Sequence, residues 1–134
     1  DLAAVAWPGL DMINLPKAES AEDVREAGAA LARYETARRI ERTVGILPNI
    51  ESPRGLRFAA EIASAHPRVV GLQLGLGDLF EPFGIDRTDE AAVHAMQLAV
   101  RVAAAVLARL PDVAFTATFV RQAPRLPPPT IAVS

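Results

Sequence analysis

The segment Val69-Val70-Gly71-Leu72-Gln73-Leu74-Gly75 is apolar on both of the faces that a period of two defines. A strand of that kind has no solvent side and belongs in a parallel sheet covered on both faces. Parallel neighbours need crossover connections, and the surrounding sequence supplies them as helices. Residues 11–16 and 44–50 are two more short apolar runs, the first closed by Pro16. Between them Ser20 and Asp23 stand three apart, a carboxylate form of the capping box. The Ala-, Glu- and Arg-rich helix it opens extends to about residue 39. Ser52 and Pro53 suit the N-cap and first position of a second helix, in which Leu56, Ala59, Ile62 and Ala63 share a face until His66-Pro67 ends it. A loop with a short helical turn covers residues 78–86. Thr88 is the expected N-cap of a long helix to about residue 110, and residues 113–119 form a fourth strand.

Four parallel strands alternating with three helices make one α/β domain over residues 1–120, followed by an irregular Pro-rich tail over 121–134. Two architectures accommodate this order: an open doubly wound sheet, or part of a TIM (β/α)8 barrel. Periodicity does not separate them. A whole barrel takes roughly 250 residues, so four units would be about half of one. A chain that begins at Asp1 rather than at methionine reads as a piece of something larger. Half a barrel leaves sheet edges and an apolar face uncovered, and the expectation is a chain that is a homo-oligomer, aggregation-prone or marginally folded.

Composition narrows the function. Hydrophobic residues make up 51% and charged ones 22%, enough for a buried core. With 14 basic and 16 acidic residues, the chain offers no basic surface to nucleic acid or to an anionic membrane. It has no cysteine, and its only histidines are His66 and His94, which excludes thiolate and histidine-rich metal sites. No apolar run is long enough to span a bilayer and no signal-peptide pattern opens the chain, so the expected location is cytoplasmic.

Active sites of parallel α/β folds lie at the carboxyl ends of the strands. Those ends read Pro16-Lys17-Ala18-Glu19-Ser20, Asn49-Ile50-Glu51-Ser52 and Gly75-Leu76-Gly77-Asp78-Leu79. Glu51 and Asp78 therefore emerge on one rim from adjacent strands. Two converging carboxylates repel unless a proton or a cation lies between them, and a hard divalent ion with oxygen ligands suits such a pair. Gly75 and Gly77 flank the turn before Asp78, where backbone N–H groups can come close to a substrate carboxylate.

The strings INLPKAESAEDV (13–24), GILPNIESPRGL (45–56) and HPRVVGLQLGLGDLFEPFGIDR (66–87) resemble the HpcH/HpaI aldolase and citrate lyase β-subunit family. Its three strand-end motifs occur here in order, across roughly residues 11–110. The resemblance implies a TIM barrel and a Mg²⁺-dependent carbon–carbon lyase or aldolase, with Mn²⁺ as the alternative ion. The implied substrates are small oxo- or hydroxy-acids or their acyl-CoA thioesters. It further implies that Glu51 and Asp78 are the metal ligands and that the Gly77 and Asp78 amides hold the substrate carboxylate. Lys17 has two readings, a substrate contact or a rim salt bridge to Glu19 or Glu51. No general base is assigned, and residues 114–121 depart from the family's pattern of an acidic residue after an aromatic. The rival readings are a non-catalytic remnant that keeps the fold, and a phosphoenolpyruvate- or pyruvate-type enzyme on the same barrel. His66 is expected in a loop, and the stretch from Glu35 to Arg42 as a solvated helix face.

Overall fold

The computed structural model describes residues 8–108. The expected fourth strand at 113–119 and the tail at 121–134 lie outside the described residues. Within them, strand β1 (Met12–Leu15) is followed by helix α1 (Ala21–Arg38) and strand β2 (Gly45–Ile50). Two short helices, α2 (Pro53–Arg57) and α3 (Ala59–Ala63), lead to strand β3 (Gln73–Leu74). Helix α4 (Leu76–Phe80), a single 3-10 turn and helix α5 (Glu90–Ala108) complete the order. The strands form a parallel sheet in the order β1-β2-β3. The architecture is α/β. Among the described residues no helix is long and apolar enough to cross a membrane.

Local chemistry accounts for the helix ends. Ser20 accepts from the Asp23 N–H at 3.2 Å, while the Asp23 carboxylate takes the N–H groups of Ser20 and Glu19 at 2.8 Å each. This reciprocal cap satisfies donors that the first turn leaves open. Burial works against the Asp23 charge, but these bonds, with Arg54 nearby, outweigh it and hold the carboxyl below its usual range. Helix α1 closes on Arg39, whose left-handed backbone (φ 53°) returns its N–H to the Glu35 and Thr36 carbonyls. For α5 the cap is Asp89 and not Thr88. The Asp86 carboxylate captures the Thr88 N–H and hydroxyl at 2.8 and 2.7 Å, which leaves Asp89 to accept from Ala91 and Ala92.

The second helix, expected to run unbroken from Pro53, is interrupted at Phe58. The two pieces answer to different neighbours. Gly55 of α2 lies so close to the β1–α1 loop that a Cβ there would sit 2.6 Å from the Ala18 carbonyl oxygen. Helix α3 packs between α1 and α5.

The third strand is shorter than its apolar run. Val69 bridges Ile46, yet the regular ladder resumes only at Gln73 opposite Asn49, so four steps along one strand match three along the other. Pro48 explains the gap. Ile46 and Ile50 bond toward β3, through Arg68, Val70 and Gly75, and Pro48 lies between them on the same side of β2. Lacking an N–H, it cannot donate to β3, and the ladder accommodates an extra residue there.

Alternation divides the sheet into two faces. Ile13, Ile46 and Ile50 are buried with Val24, Ala27 and Leu31 of α1, Ala59, Ile62 and Ala63 of α3, and Val100 of α5. Each large apolar side chain buried there contributes about 1.5–3 kcal/mol. The other face, which these helices leave uncovered, carries Met12, Asn14, Leu47, Asn49 and Gln73. The expected uncovered apolar face is thus a mixed one, and Asn14 donates to Gln73 across it at 2.5 Å.

A further departure concerns Glu35. It is no solvated helix residue: both its oxygens accept from Arg68, at 2.6 and 2.7 Å, and Oε1 also takes the Val44 N–H at 2.8 Å. The Arg68 guanidinium additionally reaches the Val44 carbonyl. The pair ties the end of α1 to the amino-terminal ends of β2 and the β3 run. His66 lies beside it, with its ring against the backbone of Gly28, where a Cβ would come within 2.9 Å.

Candidate active site

The carboxyl end of β2 sets the site. Ile50 points into the helical core, so the period of two puts Asn49 on the uncovered face. Glu51 follows at once, before Ser52 caps α2 by accepting the Gly55 N–H at 3.0 Å. The Glu51 carboxylate is held at both oxygens. Oε1 accepts the Lys17 backbone N–H at 2.7 Å, and Oε2 accepts from the Asn49 side-chain amide at 2.5 Å. The loop after β1 is thereby laced onto the end of β2, and the Ala18 N–H adds a bond to the Asn49 carbonyl.

Lys17 reaches Glu51 through its backbone and not its side chain. Its φ is 49°, in the left-handed region that a non-glycine residue enters at a cost of roughly 1–2 kcal/mol. The salt bridge to Glu19 or Glu51 does not form among the described residues. The lysine side chain is exposed at the rim.

Gly75 brings the exit of β3 against the same carboxylate. Its N–H bonds to the Ile50 carbonyl at 2.9 Å. A Cβ at this position would lie 2.6 Å from Glu51 Cβ, 2.8 Å from its Oε2 and 3.1 Å from the Asn49 amide nitrogen. Close approach is what requires glycine here. At Gly77 nothing lies within 4 Å of the position a Cβ would take, so its backbone faces open space. Asp78 stands in the first turn of α4, exposed, while its neighbours Leu79 and Phe80 are buried with Val93 of α5 and anchor the short helix. The structure joins Glu51, Asn49 and the Lys17 backbone in one hydrogen-bonded group. Gly77 and Asp78 follow two and three residues after the glycine that touches Glu51, without entering that group.

Charge is the remaining feature of the site. Glu51 is half-buried, both its partners are neutral, and no ion pair reaches it among the described residues. Nor do the described residues contain a cluster of three or more His, Cys, Asp or Glu that could hold a metal alone. Two carboxylates with lone pairs to spare are hard oxygen donors. Oxygen donors of this kind suit a Mg²⁺-type ion that keeps several positions for water or substrate, and do not suit a soft ion.

A sequence model described as HpcH/HpaI aldolase/citrate lyase matches residues 1–125. The chain belongs to that family. Within the HpcH/HpaI family, it is 38% identical over 91 residues to the citrate lyase subunit beta of Escherichia coli K12, covering 67% of this chain and 30% of that one. It is 34% identical over 88 residues to an L-malyl-CoA/beta-methylmalyl-CoA lyase of Cereibacter sphaeroides, covering 66% and 28%. Among solved structures it resembles a citrate lyase beta subunit from M. tuberculosis complexed with oxaloacetate and magnesium. The TM-score is 0.57 at 30% identity, over 82% of this chain and 45% of that one. The matched stretch is thus under a third of the length of these curated relatives.

Asn49 is the site residue that sequence reasoning passed over. It stands two positions before Glu51, and a strand's period of two puts it on the uncovered face beside that residue, so a signal was available. For the role of Lys17 there was none, because no side-chain pattern announces a left-handed backbone that aims an N–H.

Proposed function

We propose that this chain is the metal-holding segment of a (β/α)8-barrel carbon–carbon lyase acting on small oxo- or hydroxy-acids or their coenzyme A thioesters. The observation that supports it best is the Glu51 carboxylate. It is oriented at both oxygens by neutral donors and meets no cation among the described residues, and Asp78 follows in the first turn of the helix after β3. Glu51 and Asp78 would hold a Mg²⁺ ion. When bound, such an ion supplies Lewis acidity to the oxygens of an oxo- or hydroxy-acid, where negative charge grows as the carbon–carbon bond breaks.

The chain's own residues then divide the work. Asn49 and the Lys17 N–H keep Glu51 in place before any ligand arrives. The Gly77 and Asp78 amides would hold a substrate carboxylate, a reading supported by the open space beside Gly77, and the exposed Lys17 side chain would add a countercharge. His66 is bound up at the amino-terminal ends of the strands and takes no part. The proton transfers belong to a water or to a group beyond residues 8–108. The names of the relatives, citrate lyase subunit beta and malyl-CoA lyase, support the substrate class.

Calorimetric titration of Mg²⁺ into the full chain, with and without oxaloacetate, tests this reading. Wild type is expected to bind the ion, more tightly when oxaloacetate is present, and Glu51→Ala and Asp78→Ala to lose that binding. Equal binding by all three proteins rejects the proposal.

A further inference from the structure

Two local costs converge on one carboxylate. The first is the left-handed backbone of Lys17, which turns an N–H onto Glu51 Oε1. The second is at Asn49. Its amide nitrogen donates to Glu51 Oε2, and this fixes which way the amide faces. Its Oδ1 is then buried with no hydrogen-bond partner, the only such side-chain atom among the described residues. A buried acceptor left unpaired is destabilising, and leucine, of nearly the same shape, would carry no such cost at this position. Gly75 closes the third side, pressing on both Asn49 and Glu51.

We infer that Asn49 is a positioning residue whose function is to orient the Glu51 carboxylate for its cation, at the expense of the protein's own stability. This rests on the metal reading above and deepens it. A flexible glutamate spends binding energy on losing its rotamers when an ion arrives. A glutamate clamped beforehand does not, and the ion binds more tightly for the same ligand atoms.

A positioning residue moves affinity and stability apart, whereas one that is merely structural moves both in the same direction. The experiment compares wild type, Asn49→Leu, Asn49→Ala and Glu51→Gln as full chains, by Mg²⁺ calorimetry and by urea unfolding. Both Asn49 variants are expected to lose about tenfold in Mg²⁺ affinity, the size of one lost hydrogen bond to a charged group. Asn49→Leu is expected to unfold at a urea concentration equal to or above that of wild type. The alanine variant decides the question of affinity should the leucine variant not fold. Loss of less than about threefold in the folded variants overturns the inference, and so does a leucine variant whose affinity and stability fall together. If wild type binds no Mg²⁺, or Glu51→Gln binds it equally well, the metal reading itself fails. If binding depends on Glu51 but is unchanged in Asn49→Leu, only the positioning role is lost.

Discussion

Replacing Glu35 by alanine should be among the most damaging single changes to stability that this chain can suffer outside its apolar core. Both side chains of the Glu35–Arg68 pair are 11% exposed, so water screens the charges little. The substitution removes two charge-assisted bonds, at 2.6 and 2.7 Å, and leaves the Val44 N–H without its acceptor. Arg68 keeps only the Val44 carbonyl at 3.0 Å. Breaking a buried pair from one side costs about 3–5 kcal/mol, because the surviving charge stays buried. The residual exposure and the remaining carbonyl contact favour the lower end, about 3 kcal/mol. With a urea slope of about 1.5 kcal/mol/M for a domain of this size, the midpoint falls by about 2 M. The double variant Glu35→Leu/Arg68→Met should recover most of the loss, since replacing both partners by apolar groups leaves no orphan charge.

The same pair sets an acid limit. The Arg68 guanidinium, opposed by burial and helped by the Val44 N–H, holds the Glu35 carboxyl below its ordinary value of 4.5. A depressed pKa stabilises the fold fully above the unfolded-state value. That contribution is lost as pH falls through the folded-state value. Wild type should therefore lose urea resistance below about pH 4.5, while Glu35→Gln shows a flatter decline, and the gap between them should narrow with acidification. Circular dichroism in urea at several pH values reads both effects. A Glu35→Ala midpoint within about 0.3 M of wild type, equivalent to the roughly 0.5 kcal/mol of an exposed pair, would refute this.

Other outcomes follow from the same geometry. Gly75→Ala places a Cβ 2.6 Å from Glu51 Cβ, an atom next to the backbone that cannot swing aside. It should cost about 1–3 kcal/mol in urea unfolding and weaken Mg²⁺ binding, because relief of the clash displaces Glu51. Asp89→Ala removes the acceptor for Ala91 and Ala92 and should cost about 1 kcal/mol, whereas Thr88→Ala should cost less than half of that. Among the described residues one face and both edges of the three-stranded sheet carry no covering element, and the thermal unfolding midpoint of the full chain should rise with protein concentration. A sharp monomeric transition independent of concentration, with sedimentation showing one copy, would contradict that expectation.

What could be read from the sequence was what local chemistry decides. Ser20 and Asp23 form their cap from neighbours three residues apart, and β1, α1 and β2 fall where hydrophobic period and turn residues put them. The break at Phe58 could not be read, because Gly55 answers to the Ala18 carbonyl and α3 to two other helices, none of them near in sequence. The shortened third strand was legible in principle: Pro48 lies within a central strand, and a missing N–H must interrupt one ladder. The acids make the point most sharply. Glu35 and Glu51 look alike in sequence, each an acid near the end of an element. In the fold, Glu35 accepts three N–H bonds and faces a guanidinium, so its charge is fully answered. Glu51 accepts two bonds from neutral donors and faces no cation among the described residues. The first arrangement is complete and can only hold the fold. The second has lone pairs to spare at the carboxyl end of a parallel sheet, where a ligand of opposite sign has access to them. The number and charge of its donors distinguish an acid that builds the scaffold from one that is available to a ligand.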